Sequence, residues 1–175
     1  MRKYLLLMLT FATWLGAAQL NVTQGSVTAH TEVFGDSNIE PSTTAITSHL
    51  SMGDTPESIE GSVIVSMTSL ASDNSDRDEH MHEAMESSTY PNATYTFTSV
   101  TPEEKGYKIE GTMKLHGVTK PVTFQTEITD NGDTLSMKGT GSILMTDFGI
   151  EPPVLLFLTV RDQVDLRFDV IFSKQ

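Results

Sequence analysis

The stretch Tyr107-Lys108-Ile109-Glu110-Gly111-Thr112-Met113-Lys114-Leu115-His116-Gly117-Val118-Thr119-Lys120-Pro121-Val122-Thr123-Phe124-Gln125-Thr126-Glu127-Ile128 decides the fold. Tyr107, Ile109, Gly111, Met113 and Leu115 alternate with Lys108, Glu110, Thr112 and Lys114. Past His116-Gly117 the alternation resumes, with Val122, Phe124, Thr126 and Ile128 against Thr123, Gln125 and Glu127. A period of two over this length marks a strand with one dry and one wet face. His116-Gly117 reads as the turn between two such strands, and Pro121 opens the second where its missing N–H costs least.

Working outward, the pattern repeats on both sides. After the Asn131-Gly132 turn, Leu135, Met137, Gly139, Gly141, Ile143 and Met145 form one long set, and Val164, Leu166, Phe168, Val170 and Phe172 close the chain. Before the Lys105-Gly106 turn lie Tyr95 and Phe97, then Val63, Val65 and Met67, then Val27, Ala29, Thr31 and Val33. With a weaker strand over 43–50 and a further one over 154–160, the count reaches eight or nine. From residue 62 onward the dry set carries no charge, whereas the wet set holds Lys108, Glu110, Lys114, Glu127, Lys138, Asp165, Arg167 and Asp169. A sheet covered on both faces would not divide its charges this way.

One segment breaks the alternation. Residues 76–86 are helix formers, Asp76 and Glu79 stand at capping-box spacing, Met81 and Met85 lie four apart, and Tyr90-Pro91 supplies a stop. This much helix cannot cover the dry face, so the sheet must close on itself or pair with a second sheet. About eight strands suit a small barrel whose interior is wide enough for side chains or one ligand. The fold class is therefore all-β, an antiparallel eight-stranded barrel with one short α-helix.

The ends and the charge narrow the setting. Met1-Arg2-Lys3, the apolar run from Tyr4 to Leu15 and the small residues Gly16-Ala17-Ala18 read as a secretory signal over 1–18, leaving one domain over 19–175. The apolar run is shorter than the ~20 residues that span a bilayer, so no stable membrane anchor is expected. The chain of 175 residues holds 11 Lys and Arg against 23 Asp and Glu, a net charge of −12. An acidic surface opposes binding to phosphate backbones and to anionic headgroups, so no nucleic acid is expected as partner. Without cysteine there is no disulfide, thiolate metal site or cysteine nucleophile. No Gly-x-Ser-x-Gly or Gly-rich phosphate loop is present, and the dry set offers no acid/base pair, which points away from an enzyme.

The runs Ser69-Leu70, Arg77-Asp78-Glu79-His80-Met81, Tyr90-Pro91 and Phe97 fall in order before Tyr107-Lys108-Ile109-Glu110-Gly111, Leu115-His116-Gly117-Val118-Thr119-Lys120-Pro121-Val122 and Asp147-Phe148-Gly149-Ile150. Together they resemble the YceI-like family across roughly residues 62–172. The resemblance implies a lipocalin-like barrel, exported to the periplasm or secreted, whose interior binds a polyisoprenoid or similar long-chain amphiphile. It also implies a homodimer. The chain departs from the family pattern at Met85-Glu86-Ser87-Ser88-Thr89, where aromatics are usual, and in the first strand, which lacks the usual Asp-x-x-His-Ser opening.

An apolar lumen places the candidate ligand-binding residues on the dry set: Met67, Phe97, Ile109, Met113, Leu115 and Phe124, then Ile143, Met145, Leu166 and Phe168. Met81 and Met85 join them from the helix, and Phe148 from the late motif. Methionine is flexible and suits either an adaptable site or an irregular core. Gly139 and Gly141 leave space inside the barrel or mark a sharp bend. Arg77, whose fork suits phosphate, and Lys120 are candidates for a head group. Residues 150–158, with Pro152-Pro153 ahead of an apolar cluster, read as a lid or as a connection feeding a strand. No cofactor is expected beyond a bound isoprenoid or fatty-acyl lipid. The alternatives are an exported interaction protein with a filled core, or a weak metal binder using His80 or His82 with a neighbouring carboxylate.

Overall fold

The computed structural model describes residues 16–33, 36–155 and 158–175, so the expected signal lies outside it apart from its last three residues. In chain order the strands are β1 (Ala18–Val33), β2 (Asp36–Ile39), β3 (Ser42–Thr43), β4 (Ile46–Met52) and β5 (Glu60–Ser66). The helix α1 (Ser75–Ala84) follows, then β6 (Asn92–Pro102), β7 (Tyr107–Leu115), β8 (Val118–Asp130), β9 (Thr134–Leu144), β10 (Val154–Leu155), β11 (Leu158–Thr159) and β12 (Gln163–Lys174). Single 3₁₀ turns lie at Pro56–Ser58 and Thr146–Phe148.

Eight of these strands pair in the order β1-β4-β5-β6-β7-β8-β9-β12, and β12 pairs with β1, so the sheet closes. Every contact is antiparallel. Of the closed sheet and the paired sheets that the alternation allows, this is the closed one, the expected barrel. None of the dry-set positions from residue 62 onward is exposed. β2 and β3 pair with the distal half of β1. The strand expected over 43–50 is two strands, β3 and β4, broken where the Thr43 hydroxyl accepts the Ala45 N–H at 3.0 Å. The expected strand over 154–160 is the β10–β11 hairpin, and the centre of the proposed lid, residues 156–157, lies outside the described residues.

Two bulges reset the inside-outside phase. One lies between Val22 and Gln24 in β1, the other between Phe97 and Ser99 in β6. Before the first bulge Leu20 faces in, 1% exposed, and after the second Val100 takes over the inward position opposite Ile109. At the β7–β8 turn, Leu115 pairs with Val118 and the two residues between have φ of +50° (His116) and +76° (Gly117). Positive φ at both positions matches the right-handed twist of a tight hairpin.

The helix starts one residue before the expected position and is capped differently. Asn74, not Asp76, is the N-cap, its side-chain oxygen accepting the Arg77 N–H at 3.0 Å. Asp78 turns back to accept from the Ser72 N–H and hydroxyl, at 2.8 and 2.7 Å, which ties the helix start to the preceding loop. Thr146–Phe148 and α1 both sit at the end of the barrel where β7 meets β8, the mouth. The opposite end, the floor, is filled by Leu20, Leu50, Met52, Leu135 and Phe172, each at most 2% exposed.

Candidate ligand-binding lumen

The lumen is not plugged. Beneath α1 lies a cavity of about 180 Å³ with almost wholly apolar walls. The inward residues of β1, β5, β7, β9 and β12 form its sides. The helix closes it with Arg77, Met81, Ala84 and Met85, which share one face at i, i+4, i+7 and i+8. Asp78 and His80 also reach its rim. The strand walls are free of charge as expected, but the mouth has ionisable groups, and they come from the helix.

A second cavity of about 100 Å³ lies towards the floor, also apolar. Val27, Val65, Met113 and Leu166 line both cavities and so mark the junction between them. Around the lower one runs a chain of rings: Phe97, Tyr95, Phe124 and Phe168 meet edge to face, with successive centroids 5.4, 5.1 and 5.4 Å apart. Such contacts stabilise beyond the area they bury.

Inward-facing glycines make room for these rings. A Cβ on Gly111 would come within 2.5 Å of the Tyr95 ring, one on Gly139 within 2.5 Å of Phe168, and one on Gly141 within 2.6 Å of Phe124. The space at Gly139 and Gly141 is therefore taken by aromatic rings from neighbouring strands, not left open. Tyr95 is fixed further by donating its hydroxyl to the Val122 carbonyl at 2.9 Å. Burial, and secondarily the charge of Glu110, push its phenol far above its ordinary value, so it stays a neutral donor.

Most of the residues proposed from sequence converge on this space. Met67, Met81, Met85, Leu115, Ile143 and Met145 line the upper cavity. Phe97, Ile109, Phe124 and Phe168 line the lower, while Met113 and Leu166 touch both. Phe148 does not: it is 1% exposed, lines neither cavity, and offers its carbonyl to His116 Nδ1 at 3.1 Å. Its place in the 3₁₀ turn makes it a plug beside the mouth. Arg77 lines the mouth and donates to Asp73 at 2.8 Å. Lys120 sits on the inward register opposite Met113 and is half-buried, yet lines neither cavity.

Sequence reading passed over Ala93 and the β1 wall at Ala29 and Thr31 as ligand contacts, although the β1 alternation was visible. It also passed over Tyr95, whose alternation with Phe97 was the available signal. Ile150, Pro153 and Val160 enter from the irregular segment around the β10–β11 hairpin, where no periodicity points inward. His80 is paired loosely with Glu83 at 3.7 Å and His82 bonds the Leu70 carbonyl at 2.8 Å. Among the described residues, no three His, Asp or Glu gather where they could hold a metal ion.

A closed antiparallel barrel with an apolar, helix-capped lumen defines the lipocalin-like class of small barrels. Within it, residues 19–172 match the YceI-like domain, and the chain belongs to that family. Protein YceI of Escherichia coli O157:H7 is 33% identical over 97 residues, 51% of each chain. UPF0312 protein YE1254 of Yersinia enterocolitica is 31% identical over 96 residues, 50% of each. The chain thus aligns with about half the length of these relatives. Among solved structures, Burkholderia cenocepacia BcnA superposes with a TM-score of 0.73 at 17% identity, covering 84% of this chain and 95% of that one. A polyisoprenoid-binding domain from Saccharophagus degradans gives 0.59 at 15% identity, with 90% and 98% covered.

Proposed function

We propose that this chain is an exported, non-enzymatic carrier that holds the apolar tail of a single amphiphile, a polyisoprenoid or fatty-acyl lipid, inside the barrel. The observation that carries the reading is the upper cavity, apolar on every strand wall and bounded at its mouth by Arg77, Asp78 and His80. A tail in such a space leaves water at about 0.8 kcal/mol per methylene. The lipid starts in a membrane, however, where its tail is already dry, so the gain relative to the bilayer is close to zero. Near-balance of this kind allows loading and unloading and suits a carrier. Arg77 on the rim is the cation to meet a head group, with Lys120 at the start of β8 as a second candidate. The polyisoprenoid-binding domain among the structural neighbours supports the ligand class.

The test is native mass spectrometry of protein purified from its host. A co-purifying lipid of several hundred daltons is expected. A bare mass, together with no uptake of fluorescent acyl or prenyl probes by the purified protein, refutes the carrier reading.

A further inference from the structure

Resting on the carrier reading, we infer that the mouth of the barrel carries a modification site: a hydroperoxide converts Met81, Met85 and Met145 to sulfoxides, and the modified chamber expels its tail. The chain has nine methionines and no cysteine, so all of its sulfur is thioether. Seven of the nine fall among the described residues, and five of those, Met67, Met81, Met85, Met113 and Met145, line the cavity under α1. Filling gaps in a core calls for methionine wherever packing is irregular. It does not call for five around one chamber.

Access grades these sulfurs. Met81 and Met85, on α1 and its C-cap, and Met145, at the start of the Thr146–Phe148 turn, are half-buried at the mouth. Met67 and Met113 lie deeper, each 8% exposed, and Met52 and Met137 are sealed at 2%. A hydroperoxide entering from solvent therefore meets the mouth first. The thioether sulfur attacks the terminal peroxide oxygen, an S–O bond forms as the O–O bond breaks, and the remainder leaves as water or an alcohol. Sulfur loses two electrons and the peroxide gains them.

A sulfoxide is polar where the thioether was apolar. Among the described residues, the strand walls of the chamber offer it one hydroxyl, that of Thr31, already directed at the carbonyls of Arg161 and Gln163 at 3.0 and 3.2 Å. An apolar tail beside the sulfoxide would keep it from water without giving it a donor, so the modified chamber and the tail exclude each other. Met81 and Met85 also supply the apolar contact of the helix with the core, so the same step loosens the cover.

The test treats the full-length mature protein with hydrogen peroxide, which catalase then removes. Peptide mass spectrometry should find the added oxygen at Met81, Met85 and Met145 before Met52 or Met137. Uptake of dansyl-labelled undecanoic acid should weaken about tenfold or more, and methionine sulfoxide reductases should restore it. Where host lipid already fills the chamber, its loss from the native mass replaces uptake as the readout. The triple variant Met81→Leu, Met85→Leu, Met145→Leu should keep its own starting affinity through the same treatment. Oxidation of Met52 or Met137 as early as the mouth overturns the site. Unchanged binding with the three mouth sulfurs oxidised also overturns it and leaves the carrier reading intact. So does loss of the cooperative melt on oxidation, because the fold and not the chamber then fails. An empty chamber that takes up no probe before peroxide overturns both.

Discussion

At the floor of the barrel, Leu20, Leu50 and Leu135 are at most 1% exposed and close the sheet with side chains from β1, β4 and β9. At the mouth, α1 has no fully buried residue; Met81 and Met85 pack half-buried against the core, and polar ties supplement them. Asp78 accepts from Ser72, His82 bonds the Leu70 carbonyl, and His116 lies 3.6 Å from Glu86. Fully buried leucines fix one end, and half-buried methionines with a few hydrogen bonds hold the helix at the other. The contrast teaches where the molecule keeps its stability and where it keeps its freedom. Core truncations should cost most at the floor, and mouth truncations should alter access before they alter folding.

The sharpest break of that contrast is a pair of truncations. Leu135→Ala opens a void at a position with 0% exposure and should destabilise by about 2–5 kcal/mol. Met85→Ala, at the half-buried rim under α1, should cost about 1 kcal/mol or less, since its neighbours include open cavity. Chemical denaturation of both variants measures the difference. Equal losses would mean that the helix is part of the core.

Next in size is the seating of the rings. Gly139→Val must push Phe168 aside and meet the Gln125 carbonyl, which lies 2.8 Å from the added Cβ. Backbone cannot yield as a side-chain end can, so a loss of about 1–3 kcal/mol or more is expected, read as a lower midpoint in the same titration. A tolerated valine would show that the floor is softer than its packing implies.

The strands of this barrel were legible because one face of each is wet. From β5 to β12 the charges away from strand ends fall on alternate residues, with Lys120 at the start of β8 on the inward register, and no dry-set position is exposed in the structure. What was not legible is the phase slip at a bulge. Val100 looks out of step with Phe97 until the bulge between Phe97 and Ser99 is known, so the sequence reading stops the dry set of β6 at Phe97. The true cap of α1 was hidden for a related reason. Asp76 and Glu79 satisfy the capping-box spacing, but Asn74 does so by geometry, with backbone φ of −133° just ahead of the helix. Phe148 misled because a large apolar residue in a family motif looks like a wall, and only the fold shows that it is buried in the core without lining either cavity. The glycines taught the most. An absent side chain on the dry set looks like room for a ligand, yet at three positions the room is taken by a ring from the next strand.

A smaller effect sharpens the mouth. Asn74→Ala removes the oxygen that accepts the Arg77 N–H and should cost about 1 kcal/mol. The loss should be local. Amide exchange across Ser75–Ala84 should speed up while exchange in β7, β8 and β9 stays as in the parent chain. If the β7 amides also lose protection, α1 and the barrel unfold as one unit and the two-ended description fails.

The smallest effect is a pH dependence that both ends share. Asp162, at the mouth, is held below its ordinary carboxyl value, first by the Thr146 hydroxyl and then by the Thr146 N–H. Asp130, at the floor, is lowered by the Lys174 ammonium and the Gly132 N–H. A carboxyl lowered in the folded state stabilises the fold above its unfolded value of 3.8 and loses that contribution as pH falls through the lower, folded value. Both groups are at the surface, so each effect is small and salt-sensitive. Stability should be flat with respect to these groups from neutrality to about pH 5 and decline below about pH 4. Asp162→Asn should remove its share of that decline and release the turn at Thr146–Phe148, while Asp130→Asn should loosen the Lys174 end of β12 instead. Urea midpoints between pH 3 and pH 7 read the shared slope, and amide exchange reads the location. If either asparagine variant keeps the parent's full acid slope, that carboxyl does not help to hold its end of the barrel.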